Sequence, residues 1–241
     1  MMGNEGRTLR NTSADECRNE IFAVRVEALS PLHLGSGKGD VTIDAEIVHD
    51  AVGLPYFPAK RFKGLLYESA IEVVEIMNVR PLFTADDVRK LFRHGAEDEN
   101  GTQLVVSNLR LEEYDTMRED WGYLQSRYPN LIQPQDVLEQ YTSLRYQTKI
   151  DPKTRMAANT SLHNMRVADK GLVFVGKLKV QHASEKALRI LALALRNLEH
   201  AGLKRNRGFG KIRCTLERNG EAVGSEIIEK ALKEWKEAGG R

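Results

Sequence analysis

The chain has 241 residues, of which 41% are hydrophobic and 29% charged, and its formal net charge is +2. This composition is that of an ordinary globular protein long enough to bury a sizeable core. The near-neutral balance excludes nucleic-acid binding by bulk charge, so any such binding has to come from local basic clusters. Cys17 and Cys214 form no CxxC pair, and they predict neither a disulfide framework nor a structural zinc site.

The N-terminal part of the chain is predicted to pass from a polar leader into a strand. Residues 1–20 lack the apolar run of a signal peptide or a membrane span, so we expect a mobile leader, no membrane partner and a cytoplasmic location. Ile21–Leu29 alternates polar and apolar side chains, which predicts a half-buried strand. A glycine-rich loop is expected over Pro31–Asp40, and a second strand-like pattern follows over residues 41–50.

The middle of the chain shows helical spacing twice. Lys60–Asn78 has apolar residues at the period of one helix face. Thr84 followed by Asp87 is an N-terminal capping signal for a second, short helix. A further strand is predicted over residues 104–114, and Tyr114–Gln140 is the least periodic part, which we interpret as an insertion.

The C-terminal half completes an alternating pattern. Polar and basic Tyr141–Val167 predicts an extended hairpin, and Gly171–Val180 has the β-branched content of a strand. Ser184 can cap a leucine-striped helix, for which Gly202 is the expected C-terminal cap. A last strand and a tail helix over residues 225–238 follow. This order is compatible with an α+β, ferredoxin-like core that bears insertions.

A basic cluster lies where the first predicted helix begins, in the stretch FPAKRFKGLL. Lys60, Arg61 and Lys63 are unfavourable near the positive end of a helix dipole unless an anion is bound there. An anionic partner could also use the free amides of the helix start. The alternative is an ordinary solvated surface.

A second basic cluster occupies the glycine-containing stretch KRNRGFGKIRC. Gly208 and Gly210 would let the backbone approach a ligand closely, and Phe209 offers a stacking face. The alternative is a tight turn between helix and strand. The cationic residues of this stretch are Lys204, Arg205, Arg207, Lys211 and Arg213. Two separate basic loops favour a polyanion over a single phosphate.

The stretch GSGKGD is not a phosphate-binding loop of the Walker type. Such a loop needs Ser or Thr after its Lys, whereas Lys38 is followed by Gly39, and Leu32 stands where the first Gly belongs. We therefore exclude a nucleoside triphosphatase.

Carboxylates and histidines flank this glycine-rich stretch. Asp40, Asp44 and Asp50 could supply oxygen ligands to a divalent cation, and their alternative role is in turns and strand ends. His33 could serve as a general base, and His163 could contact phosphate. An isolated histidine is otherwise a structural or surface residue.

Three motifs occur in a familiar order: LHLGSGKGDVTIDAEIVHDAVGLPYFPAKRFKGLL, KIDPKTRMAANTSLHNMRV and GLKRNRGFGK. Together they resemble the RAMP superfamily of CRISPR-associated proteins over about Ile21–Leu216, and most of all the RNA-binding backbone subunits of type III effector complexes. The resemblance implies a single domain over residues 21–241. It would have an RRM-like ferredoxin core, helical fingers at about 80–140 and a β-hairpin thumb at 141–170.

The resemblance also implies a function. Family members stack as copies along a guide RNA with other CRISPR effector subunits, and the thumb kinks the duplex of guide and target RNA. In catalytic members an Asp cleaves the target RNA with Mg²⁺ or another divalent cation. Ile43–Asp50 matches the family pattern Ile-Asp-x-x-Val-Ile-x-Asp, which indicates Asp44 as the catalytic and metal-binding residue, with Asp40 as the next candidate.

The residues expected to contact RNA follow from the motifs and the resemblance together. Met156 would be the apolar tip of the thumb. The full expected set is Lys60, Arg61, Lys63, Arg155, Met156, His163, Lys204, Arg205, Arg207, Phe209 and Lys211. Ala59-Lys60-Arg61 stands where the family commonly has Gly-Ser-Ser, so the resemblance does not specify the subunit type.

Two alternatives to a target-cleaving subunit remain open from the sequence. One is a non-catalytic RAMP subunit that only binds or caps guide RNA. The other is a metal-independent endoribonuclease that processes guide precursors with His33 as its general base.

Overall fold

The structure is a computed structural model that describes residues 18–37, 39, 43–77, 81–92, 101–148, 155–156, 162–203 and 207–237. Its strands are β1 (Glu20–Ala28), β2 (Tyr56–Phe57), β3 (Gln103–Val106), β4 (Leu109–Leu111), β5 (Thr142–Gln147), β6 (His163–Ala168), β7 (Val173–Gln181), β8 (Ile212–Arg218) and β9 (Glu221–Ala222). Its helices are α1 (Ala59–Ile76), α2 (Ala85–Phe92), α3 (Tyr114–Arg127), α4 (Pro134–Gln140), α5 (Glu185–Asn197) and α6 (Gly224–Glu237). Most of the expected N-terminal leader lies outside these ranges.

The main sheet has the strand order β2-β4-β7-β1-β8-β9, and all of its pairs are antiparallel. The short strands β3 and β4 share one edge of β7: β4 pairs with Phe174 and Val175, and β3 pairs with Leu178–Gln181. The core elements follow the order βαββαβ: β1, α1, the second strand, β7, α5 and β8. The two short strands β3 and β4 together occupy the position of the second strand. The α+β, ferredoxin-like fold expected from the sequence is confirmed.

Alternation along β1 explains how the sheet acquires one helix-covered face. Phe22, Val24 and Val26 are buried, whereas Arg25 and Glu27 point to the other face. Burying such an apolar side chain contributes roughly 1.5–3 kcal/mol. Helices α1 and α5 pack on each other over this face, and Ser69 Oγ of α1 donates a hydrogen bond to the Ala194 carbonyl of α5 at 2.8 Å.

The caps of the helices follow the sequence signals in two cases and depart from them in one. Thr84 and Asp87 bond each other reciprocally at the start of α2, and Ser184 Oγ accepts a bond from the Ala187 amide in α5. The expected cap at Gly202 is wrong, because α5 ends at Asn197. Gly202 instead lies against the His33 carbonyl with φ 77°, where a Cβ would come within 2.4 Å of that oxygen.

Two further sequence expectations are corrected by the backbone hydrogen bonds. Residues 43–50 form isolated bridges and no regular strand, because their partners change along the segment: Glu46 O bonds Ser36 N, whereas Ala45 O bonds Arg166 N. The strand predicted over residues 104–114 is divided into β3 and β4. In the tail helix α6 the buried side chain is Ala231, and Leu232 is exposed.

The hairpin β5–β6 is a separate two-stranded sheet, and it is anchored to the core at its base. Leu32 bridges Ala168, and Ala45 bridges Met165 in parallel. A two-stranded hairpin is at best marginally stable in water, so these anchors hold it in place. Within the described ranges, no helix is both long and apolar enough to span a membrane.

Candidate nucleic-acid interface and cleavage site

The start of α1 leaves two backbone amides without a partner in the described part of the chain. Its N-cap residue is Pro58, which lacks a side-chain acceptor, and the Ala59 amide donates to Asn108 Oδ1 at 2.8 Å. The next two amides, of Lys60 and Arg61, have no hydrogen-bond partner among the described residues. The Lys60 side chain is exposed beside them. Unpaired amides at a helix start are the groups with which a helix binds an anion.

The other two basic side chains of this cluster are held by backbone carbonyls. Arg61 Nη2 donates to the Gly35 carbonyl at 2.7 Å, which fastens the glycine-rich loop to α1. Lys63 Nζ donates to the Leu104 carbonyl at 2.8 Å on β3, and burial lowers the pKa of its ammonium group. Of the three, Lys60 presents its charge most openly to solvent.

The second basic loop packs on the same segment of the chain. The Gly210 amide donates to the Pro31 carbonyl at 2.9 Å, and the Leu203 amide donates to the His33 carbonyl at 3.4 Å. Arg207 and Lys211 are exposed on this loop, and Phe209 is half-buried. Lys204 and Arg205 lie outside the described residues. The structure thus brings the basic start of α1 and the second basic loop together at Pro31–Gly35.

Asp44 lies between the glycine-rich loop and the hairpin. Its amide donates to Asn164 Oδ1 at 2.8 Å, and its Oδ2 accepts a bond from the Asn164 amide at 2.8 Å. His163 Nδ1 is 3.7 Å from the same Oδ2. Gly39 packs on the Asp44 backbone, since a Cβ at Gly39 would lie 2.7 Å from the Asp44 carbonyl oxygen. The Asp44 side chain is still 56% exposed, so RNA can reach it.

A family model described as the RAMP superfamily matches residues 25–213, a span that includes both basic loops, Asp44 and the hairpin. The chain belongs to the RAMP superfamily. A comparison with curated proteins finds no match.

Solved structures share the fold of this RAMP protein at low sequence identity. One is the cryo-EM structure of the Type III-B Cmr-beta complex bound to cognate target RNA. It aligns with a TM-score of 0.59 at 14% identity, over 87% of this chain and 99% of the matched chain. The apo state of Type III-B Cmr-beta aligns with a TM-score of 0.59 at 11% identity, over 83% of this chain and 98% of the other.

The two described aspartates of the segment Ile43–Asp50 have different surroundings. Asp50 Oδ1 accepts bonds from the amides of Val52, Gly53 and Leu54 at 2.9–3.0 Å, and its Oδ2 accepts the Tyr114 hydroxyl at 2.8 Å. Asp50 therefore builds the turn before β2, and its carboxylate oxygens are occupied. Asp40 lies outside the described residues.

His33 is placed differently from the expectation of a general base. It is 2% exposed, and its Nδ1 lies 2.7 Å from the Arg166 carbonyl oxygen. The burial of this ring argues against His33 as a general base for a ribose hydroxyl. The exposed His163 lies beside Asp44 on the hairpin, where a phosphate contact is sterically open.

At the far end of the hairpin the structure describes Arg155 and Met156. Both side chains are exposed, Met156 to 71%, and Arg155 has a left-handed φ of 56°. An exposed methionine next to an arginine is suited to pack on a base and a phosphate.

Sequence reasoning missed the buried Arg166. Its Nε lies 3.0 Å from Glu46 Oε1, its Nη1 donates to Thr142 Oγ1 at 3.1 Å, and its Nη2 lies 3.5 Å from Glu139 Oε1. The available signal was an arginine between Met165 and Val167, two apolar residues of a predicted strand. Such a residue needs an acidic partner in the core.

The described residues can be compared with the ligand set that the expected divalent cation requires. Among them, no three His, Cys, Asp or Glu side chains cluster as a metal site. Mg²⁺ commonly binds through one or two carboxylates and completes its shell with water and substrate phosphates. Asp44, whose side chain is exposed, could supply one carboxylate ligand in that mode.

Proposed function

We propose that this RAMP protein is a subunit of a type III CRISPR effector complex that binds guide RNA through its phosphate backbone. One observation carries the proposal: the basic start of α1 and the second basic loop both contact the segment Pro31–Gly35. Backbone amides and exposed cations at one surface suit a phosphate chain better than a single small anion. The structural likeness to Type III-B Cmr-beta chains supports the same assignment.

The guide RNA would cross the protein along exposed side chains. Lys60 would bind one phosphate with the α1 amides, and Arg207 and Lys211 would continue the track. Phe209 would stack on a base, while Arg155 and Met156 would contact the duplex of guide and target. In the cytoplasm, further copies of this chain and other effector subunits would extend the assembly along the guide.

Cleavage of the complementary target RNA is the second part of the proposal. Asp44 is exposed, and its Oδ1 has no hydrogen-bond partner among the described residues. Asp44 would hold Mg²⁺ or another divalent cation, which supplies charge stabilisation at the scissile phosphate. The hairpin keeps the carboxylate in place, and the glycine-rich loop limits the approach to it from one side.

A non-catalytic RAMP subunit is the competing function. It is favoured by the finding that, among the described residues, no three His, Cys, Asp or Glu side chains form a group that could hold a metal ion. In that case the RNA-binding surface would be unchanged, and only the cleavage step would be missing.

The test uses the assembled complex with a matching target RNA. We expect Asp44→Ala and EDTA each to abolish target cleavage while the complex still binds target. Undiminished cleavage by Asp44→Ala would overturn the catalytic part, and absence of cleavage by the intact complex would favour the non-catalytic subunit.

RNA binding is tested separately. We expect Lys60→Glu and Arg207→Glu to weaken guide binding and to reduce its salt dependence, since each phosphate contact adds close to one unit to that slope. Lys236→Glu in α6 is the matched charge-reversal control. A salt-independent affinity would contradict the RNA-binding proposal.

A further inference from the structure

We infer that Asn164 is a positioning residue that holds Asp44 against strand β6 of the hairpin and leaves Oδ1 of Asp44 as the atom that faces the target RNA. The inference rests on the proposed cleavage function, because it concerns how the carboxylate of that site is oriented.

The contact between the two residues is reciprocal. The amide of Asp44 donates to the side chain of Asn164, and the amide of Asn164 donates to the side chain of Asp44, both at 2.8 Å. The Asn164 side chain places the Asp44 backbone, and the Asn164 backbone amide places the Asp44 carboxylate, so a substitution at residue 164 removes the first bond and keeps the second. Neither bond can rotate independently, so together they define both the position and the direction of the side chain.

The residues that follow Asp44 and Asn164 along the chain are also hydrogen-bonded to each other. Ala45 bridges Met165 in parallel, and the Arg166 amide donates to the Ala45 carbonyl at 3.0 Å. Glu46, two residues after Asp44, forms the buried ion pair with Arg166. The Asp44 segment therefore runs along β6 as an added edge, and Asn164 is the part of this edge that touches the carboxylate.

Exposure explains why such a contact is needed. An exposed aspartate changes rotamer within picoseconds to nanoseconds, and a misplacement of about 1 Å can lower a reaction rate by about 100-fold. Asp44 is 56% exposed, so packing does not fix it. The half-buried Asn164 supplies the constraint that packing does not.

The two carboxylate oxygens become distinct as a result. Oδ2 accepts the Asn164 amide and faces His163, whereas Oδ1 has no partner in the described part of the chain. Hydrogen bonding to one oxygen holds the negative group in place and leaves the other free to meet a cation or a ribose hydroxyl.

The experiment compares Asn164→Ala with Ser143→Ala in the assembled complex. Ser143 Oγ donates to Asp169 Oδ1 at 2.8 Å, so its loss also removes one polar contact of the hairpin base, but that contact is remote from Asp44. We expect Asn164→Ala to lower kcat by about 10- to 100-fold, to raise the Mg²⁺ concentration at half-maximal rate, and to leave KM for target within about twofold. Ser143→Ala should leave all three near the parent values.

A second readout does not depend on catalysis. Amide hydrogen exchange at Asp44 should be slow in the parent and in Ser143→Ala, and fast in Asn164→Ala. Asn164→Ser, whose shorter side chain does not reach the Asp44 amide, provides a second variant with the same expected result if the alanine variant does not fold.

The outcomes separate this inference from the proposed function. If Asp44→Ala abolishes cleavage but the Asn164 variants keep the parent kcat, Asn164 does not position Asp44. If Asp44→Ala cleaves normally, the catalytic proposal fails, and the exchange rate at Asp44 still decides the contact: unchanged protection in both Asn164 variants overturns it.

Discussion

The guanidinium Nε of Arg166 lies 3.0 Å from Oε1 of Glu46, in a site where the Arg166 side chain is 2% exposed. This ion pair joins the hairpin to the segment that carries Asp44. Removing one partner of a buried pair leaves the other charge uncompensated, which costs about 3–5 kcal/mol. We expect this loss in the free energy of unfolding of Arg166→Met, measured by urea denaturation at neutral pH.

The companion variant for this pair is Arg166→Met combined with Glu46→Gln. It removes both charges, so it should be more stable than Arg166→Met by itself. A single variant that loses less than about 1 kcal/mol would show that the pair is solvated like a surface ion pair.

Substitution by alanine should lower the free energy of unfolding much more at Asp50 than at Asp44. Asp50→Ala removes the acceptor of three backbone amides and of the Tyr114 hydroxyl, and we expect a loss of about 3 kcal/mol. Tyr114→Phe removes one of these bonds and should cost about 1 kcal/mol. Asp44→Ala, at an exposed side chain, should cost about 1 kcal/mol or less. Equal losses at both aspartates would contradict the division into a structural and a functional carboxylate.

Two glycines of the second basic loop should differ sharply in their tolerance of a side chain. Both have left-handed backbone, with φ 74° at Gly210 and φ 80° at Gly208. A Cβ at Gly210 would lie 1.9 Å from the Ala201 carbonyl oxygen, whereas a Cβ at Gly208 meets nothing within 4 Å. We expect Gly208→Ala to cost about 1 kcal/mol from φ by itself, and Gly210→Ala at least about 3 kcal/mol from φ and clash together. Thermal unfolding of the two variants is the measurement, and a Gly210 variant as stable as the Gly208 variant would exclude the close packing of this loop.

The pair of Arg25 and Glu112 predicts a pH dependence of stability. Arg25 donates to both carboxylate oxygens of Glu112, at 2.5 and 3.1 Å, and these hydrogen bonds hold the pKa of Glu112 below its ordinary value. A carboxyl whose pKa is lower in the folded state adds stability above its unfolded pKa and loses it as the pH falls through the folded pKa. The side chains are 33% and 47% exposed, so the contribution is about 1 kcal/mol or less.

The measurement is urea unfolding of the parent and of Glu112→Gln at two pH values. Glu112→Gln should be less stable than the parent at pH 7, and the difference should shrink at acidic pH, as the pH falls through the lowered pKa of Glu112. A difference that is the same at both pH values would contradict an electrostatic origin.

The fold was largely predictable because its elements carry strong local signals. The alternation of β1, the stripe of α1 and the caps at Thr84 and Ser184 are each decided within a few residues. The assignment of residues 43–50 to a strand failed for a physical reason. Their alternation is real, but their backbone partners come from two different places, the glycine-rich loop and β6.

The candidate site was predictable as a set of residue types and less so as a geometry. The motifs predict Lys60, Asp44 and Arg207 as site residues. The hydrogen bonds from Arg61 to the Gly35 carbonyl and from Lys63 to the Leu104 carbonyl could not be predicted, because they join distant segments of the chain. No local sequence pattern predicts the contact of Asn164 with Asp44, because an asparagine in a hairpin is common. Its role arises from a contact between segments that are 120 positions apart in the chain.

The anchoring of the hairpin β5–β6 has a consequence for how the protein opens. Its backbone bridges to the rest of the chain join Leu32 to Ala168 and Ala45 to Met165, and the Arg166–Glu46 ion pair and the Asp44–Asn164 bonds lie on the same strand β6. A local unfolding event that breaks them leaves β1, β7 and β8 paired, because those strands do not depend on the hairpin. The same event releases Asp44, since its carboxylate is bound to the same strand. The hairpin and the segment that carries Asp44 therefore form one cooperative unit, and detachment of the hairpin also removes the hydrogen bond that holds the Asp44 carboxylate.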